Sequence, residues 1–166
     1  FMGLVGSEMC IRDRYKGDAD WTKIAEIKNN PRMHIPVFGN GDVNSPEKAK
    51  EMRDYYGLDG AMIGRASIGN PWFFNQVKHY LQTGKKINEP SIAERAEMAI
   101  RHLKMAIDWK GDVLGVLETR RHYGNYFKGI ANFKETKSKI LRENDPATIL
   151  QELELVKKTF FEKELV

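Results

Sequence analysis

Two short stretches of this chain combine the parts needed to hold an anionic group. In Gly39-Asn40-Gly41-Asp42 the glycines can take backbone angles closed to other residues and let main-chain N–H groups approach a ligand, while Asn40 and Asp42 offer an amide and a carboxylate to orient it. Downstream, Gly64 leaves room and Arg65 supplies a planar fork of donors that suits a phosphate. Alone, Gly-Asn-Gly-Asp reads more often as a plain turn; the second loop, at βαβ spacing, brings a shared phosphate site level with that reading. A third stretch carries different chemistry. From Arg120 to Arg142, seven basic residues (Arg120, Arg121, Lys128, Lys134, Lys137, Lys139, Arg142) stand against the single acid Glu135, with His122, Tyr123, Tyr126 and Phe127 interleaved. Cations for phosphates and rings for unstacked bases make an RNA surface; the alternative is a solvated helix face. In a chain of net charge +4, this local excess of six favours RNA.

The elements that must position these residues follow from the apolar pattern. Ile35 to Phe38 and Ala61 to Ile63 are short, non-alternating runs that suit parallel strands buried on both faces. Between them, Ser45 caps a helix with Pro46 first and Glu47 in the first turn, Ala49, Met52 and Tyr56 inward, and Gly57 closing it. Upstream, Asp18 or Asp20 caps a helix carrying Trp21, Ile24, Ala25 and Lys28 on one face and ending near Asn29-Asn30-Pro31. After the second strand, Asn70-Pro71 starts a helix with Phe74, Val77 and Leu81 on one side and Gly84 at its end, and Trp72, Phe73 and Phe74 read as core under the sheet. A composition change at Lys85 marks a boundary. Beyond it, Ser91 and Glu94 form a capping box, an apolar stripe (Ile92, Ala96, Ala99, Ile100, Leu103, Ile107) runs to Gly111, and Asp112 opens a helix using Val113, Leu114 and Leu117. A last helix begins at Asp145-Pro146 and uses Ile149, Leu153, Val156 and Phe160.

Composition narrows the class. A chain of 166 residues, 41% hydrophobic, can bury a core. No apolar run approaches the roughly 18 residues that span a bilayer, and the N-terminus lacks a signal peptide's charged region, so no membrane partner is expected. The single cysteine, Cys10, excludes an internal disulfide framework and makes an intracellular, cytoplasmic location the expectation; with no nearby His or Asp to activate it, it reads as an incidental thiol. His34, His79, His102 and His122 show no ligand spacing, so no metal is expected. Residues 1–14 have no clear period and read as a junction artefact.

Four segments, taken in order, resemble the signatures of the tRNA-dihydrouridine synthases: Tyr15-Lys-Gly-Asp-Ala-Asp-Trp21, Ile35-Pro-Val-Phe-Gly-Asn-Gly-Asp-Val43, Asp59-Gly-Ala-Met-Ile-Gly-Arg-Ala66 with Gly69-Asn-Pro-Trp72, and Arg120-Arg-His-Tyr-Gly-Asn-Tyr-Phe-Lys-Gly129. The resemblance covers the C-terminal half of such an enzyme. It implies an α/β plus all-α chain: residues 15–84 as the last βα units of an FMN-binding (β/α)8 TIM barrel and 85–166 as a helical tRNA-binding domain. It also implies a flavoprotein that uses FMN, with NADPH as reductant, to convert tRNA uridines to 5,6-dihydrouridine. Asn40, Gly41, Asp42, Gly64 and Arg65 would then hold the FMN phosphate end, and Arg120, Arg121, His122, Tyr126 and Lys128 would lie on the tRNA surface. The family's catalytic cysteine and two flavin-binding residues lie upstream of these segments. Where the family carries His-x-Arg-Thr-Arg, this chain has Met9-Cys-Ile-Arg-Asp-Arg14, so no catalytic residue is expected here and the chain reads as a fragment. A dihydroorotate dehydrogenase-like flavin barrel would share the phosphate loops but has no use for a basic helical domain. A non-catalytic helical RNA-binding module is the other alternative.

Overall fold

The computed structural model describes residues 18–131 and 133–164; the segment 1–14, with Cys10, lies outside them. The described chain forms two units. One takes in residues 18–67 and Trp72–Ile87, the other Ile68–Pro71 and residues 88–164.

In the first unit, helix α1 (Trp21–Lys28) is capped by Asp20, whose Oδ1 accepts from the Thr22 N–H at 3.0 Å. Strands β1 (Phe38–Asn40) and β2 (Gly60–Met62) pair in parallel with Phe38 opposite Gly60 and Asn40 opposite Met62. The connecting helix α2 (Pro46–Asp54) is capped by the Ser45 hydroxyl and places Pro46 where its missing N–H costs nothing. A 3-10 turn, Arg65–Ser67, follows β2, and α3 (Phe73–Thr83) ends on Gly84 in the left-handed region. Trp21, Val43, Ala49, Met52, Leu58, Phe73 and Val77 form the core of this unit.

Three expectations for this unit are corrected. The ladder begins only at Phe38, the last residue of the apolar run Ile35 to Phe38, because Pro36 lacks an N–H to pair. Val37 is instead tied to Asp59, its N–H donating to Oδ2 at 2.7 Å and its carbonyl accepting from the Asp59 N–H at 3.0 Å. The strands are also not buried on both faces: Gly39 and Ala61 meet the α2 side, whereas Phe38 and Met62 on the opposite face are 66% and 59% exposed. In α3, Val77 is buried and Leu81 packs against the core as expected, but Phe73 and Gln76 complete the inward face and Phe74 is exposed.

In the second unit, helix α4 (Ile92–Tyr126) begins with the reciprocal Ser91–Glu94 capping box and breaks at Gly111, whose φ of 76° and ψ of 171° split it into two arms as the sequence predicts. A Cβ at Gly115 would lie 2.8 Å from the Ile107 amide nitrogen, so the second arm packs backbone-close on the end of the first. Ala96, Ala99, Ile100 and Leu103 face inward from the first arm. From the second, the buried residues are Gly115, Val116, Thr119, Tyr123 and Tyr126. Val113, Leu114 and Leu117, expected inside, are exposed, Val113 at 72%. The Gly115 contact sets the rotation of this arm and turns those three outward. Helix α5 (Lys134–Arg142), which the apolar pattern did not predict, buries only Ile140. Helix α6 (Pro146–Glu164) starts where Asp145 accepts from the Thr148 N–H at 2.9 Å and buries Ile149, Leu153 and Val156.

Candidate functional site

In the first unit the two glycine-containing loops meet at the carboxyl ends of the parallel strands. Arg65 Nη2 donates to Asp42 Oδ1 at 2.6 Å, while Asp42 Oδ2 accepts from the Ala19 N–H at 2.8 Å. Asp42 takes a φ of 51°, which Asp tolerates better than most residues. The preceding Gly41 has a φ of 117°, and its carbonyl accepts from Trp21 Nε1 at 2.9 Å. The segment before α1 and the indole that opens it therefore fix the first loop, and the first loop fixes Arg65. The glycines differ in function. A Cβ at Gly39 would meet Leu58 Cδ1 and Met52 Sδ at 2.5 Å, so this glycine serves close packing of the strand on α2 rather than an unusual backbone angle. At Gly64 a Cβ would meet nothing within 4 Å, and its carbonyl accepts from the Ser67 N–H and hydroxyl. Asn40, at the end of β1, is half-buried on the same strand face as Phe38.

These residues suit an anionic group such as a phosphate. Arg65 is exposed and held in place by a carboxylate whose other oxygen is already satisfied, and beside it Gly64 presents no side chain.

The second unit distributes the sequence-derived RNA residues over two roles. Arg121 and Lys128 are exposed, as are Lys134 and Arg142. Arg120 instead turns inward, donating from Nη2 to the Glu143 carbonyl at 2.5 Å and to Asn144 Oδ1 at 2.6 Å, which ties the second arm to the corner between α5 and α6. Lys139 is likewise paired with Glu152. His122 accepts the Gly69 N–H at Nδ1, 3.1 Å away, and Asn125 Nδ2 donates to the Ile68 carbonyl at 2.8 Å. Tyr126 is buried, its hydroxyl 3.2 Å from His102 Nδ1, and burial pushes it up to about 12. The His102 and His122 rings stand edge to face, centroids 4.5 Å apart. Burial, then the neighbouring His102 and Arg121, hold His122 down at about 4; burial and Arg121 lower His102 as well.

Two of these participants were not identified from the sequence. Asn125 lies inside the Arg120–Gly129 segment, where a polar residue among aromatics is the available signal. His102 has no local signal, because it reaches His122 across the two arms of α4. Among the described residues no group of three His, Cys, Asp or Glu side chains converges, and no helix is long and apolar enough to cross a membrane.

Comparison with known proteins finds the dihydrouridine synthase family model matching residues 10–163, so the match opens inside the segment 1–14 that the sequence motifs had left out. A probable tRNA-dihydrouridine synthase of Rickettsia conorii is 37% identical over 139 residues, 84% of this chain and 41% of its own length. The tRNA-dihydrouridine synthase B of Shewanella oneidensis is 43% identical over 112 residues, covering 68% of this chain and 34% of its own length. That of Pseudomonas putida is 39% identical over 127 residues, 76% and 37% respectively. The chain thus spans 34–41% of the length of these relatives.

Proposed function

The chain belongs to the dihydrouridine synthase family, and we propose that it is the C-terminal part of a flavin-dependent tRNA-dihydrouridine synthase. The carrying observation is the Asp42–Arg65 pair, which joins two successive loops at the carboxyl ends of parallel strands. In a (β/α)8 barrel the loops after the last two strands are a recurrent phosphate site. On this reading residues 15–84 are the last βα units of the barrel. Phe38 and Met62 sit on the face that further strands would enclose, in agreement with their exposure.

Arg65 binds the FMN phosphate, Gly64 and Gly41 let it approach the backbone, and Asn40 orients the group from the end of β1. Asp42 acts through Arg65, holding its guanidinium ready. When bound, FMN, reduced by NADPH, would supply the hydride that saturates the uracil ring. No catalytic residue is assigned within this chain. Residues 85–166 form the tRNA-binding domain, with Arg121 and Lys128 contacting phosphates while Arg120, His122 and Tyr126 shape the surface from beneath. A tRNA substrate would place the enzyme in the cytoplasm.

In the complete enzyme, Arg65→Ala should weaken FMN binding by about 1.5–3 kcal/mol, the range for a charge-assisted bond. Fluorescence titration measures this directly. Undiminished affinity would remove the phosphate role from Arg65 and with it the reading of these loops.

A further inference from the structure

Ile68-Gly69-Asn70-Pro71 is seated on the second arm of α4 through two hydrogen bonds, Gly69 N–H to His122 Nδ1 and Asn125 Nδ2 to the Ile68 carbonyl. The seat admits only glycine at its centre. With φ at 63°, a Cβ on Gly69 would lie 2.4 Å from the His122 carbonyl oxygen and 2.9 Å from the Asn125 Cβ. A backbone N–H can only donate, so Nδ1 of His122 must be bare, and the neutral ring then carries its proton on Nε2. Arg121 Nε, 3.4 Å from Nε2, therefore faces a donor and adds positive potential rather than a bond.

We infer that His122 is a proton-released latch for this segment: the neutral imidazole holds the Gly69 amide, and a proton on Nδ1 turns the acceptor into a donor and releases that amide.

The ionisable groups facing His122 are His102 from the first arm, Arg121 beside it, and Tyr126, whose hydroxyl reaches His102. Residues 68–71 bring none. His102 cannot serve the same purpose, because its partner is a hydroxyl that can accept as well as donate; its bond survives protonation. Burial keeps His122 neutral, reinforced by His102, whose protonation it opposes, and by the Arg121 cation, so the latch is closed at neutral pH and opens in acid. Asn125 does not titrate, so the second tether persists and the loosening centres on Gly69.

The inference concerns this chain alone and is independent of whether flavin or RNA binds. Its test is site-resolved amide hydrogen exchange between pH 7 and pH 4.5, expressed as protection factors, with the buried Leu103 amide as reference. The Gly69 protection factor should fall about tenfold or more in acid while Leu103 holds. In His122→Asn the side-chain oxygen replaces Nδ1, so protection should persist at both pH values; in His122→Ala it should be low at both. His102→Gln removes one of the groups holding His122 neutral and should move the opening to higher pH. A flat wild-type profile, a parallel fall at Leu103, or full protection in His122→Ala would each overturn the latch.

Discussion

A methyl group at Gly41 would sit 2.3 Å from the Ala19 Cβ, on a backbone whose φ of 117° is closed to residues with a side chain. Gly41→Ala should therefore cost about 1–3 kcal/mol, read by denaturant unfolding, because strain of this kind is paid in the folded state. Gly64→Ala is the control with the opposite expectation. Its added Cβ meets nothing within 4 Å, so stability should change by less than about 0.5 kcal/mol. A loss of FMN affinity in the complete enzyme carrying Gly64→Ala would then report on space reserved for a ligand. The sequence shows the residue types of this loop but not what anchors it. That the Ala19 amide and the Trp21 indole hold Asp42 and Gly41 depends on a return of the chain over some twenty residues, and no spacing rule carries such a contact.

Element boundaries were legible wherever a side chain satisfies a helix end locally. Asp20, Ser45, the Ser91–Glu94 box and Asp145 all cap as their types suggest, and Gly111 breaks α4 where expected. Helix rotation was not legible where small or polar residues face inward. On the second arm of α4, Gly115 and Thr119 are buried while Val113 and Leu114 point out, so counting apolar residues selects the wrong stripe. Helix α5 went unseen because its composition is nearly all polar. The same limit applies to Arg120, which reads as a surface cation yet fastens the second arm to the corner between α5 and α6 through Glu143 and Asn144. Arg120→Ala should cost about 1.5–3 kcal/mol of stability, the range for charge-assisted bonds, whereas exposed Arg121→Ala should leave the thermal midpoint nearly unchanged. Equal midpoints for the two variants would remove the structural role of Arg120.

Across the whole chain, charge enters twice, once through protons and once through salt. The folded state keeps His102 and His122 neutral below their ordinary value of 6.5, His122 down to about 4. Between those values the unfolded chain binds more protons, so stability is fully present above pH 6.5 and falls as the pH drops toward 4. Asp54, held down at about 2 by Arg53 and then Lys50, loses its contribution only in the lower window, from 3.8 through 2. Melting curves over a pH series should show both windows, and His122→Asn should shrink the upper one to the His102 share while leaving the lower one unchanged. The salt dependence belongs to the proposed tRNA surface. An overall charge of +4 is modest, so binding strength should rest on the exposed cations Arg121, Lys128, Lys134 and Arg142 rather than on a diffuse field. Each phosphate contact releases condensed counterions, so log affinity should fall linearly with log salt, with a slope of about 0.7–0.9 per contact. Replacing Arg121 or Lys128 by Gln should reduce that slope by about one and weaken binding alike across tRNA sequences. A slope unchanged in both variants would move the RNA contact away from this face and leave its cations as solvated helix surface.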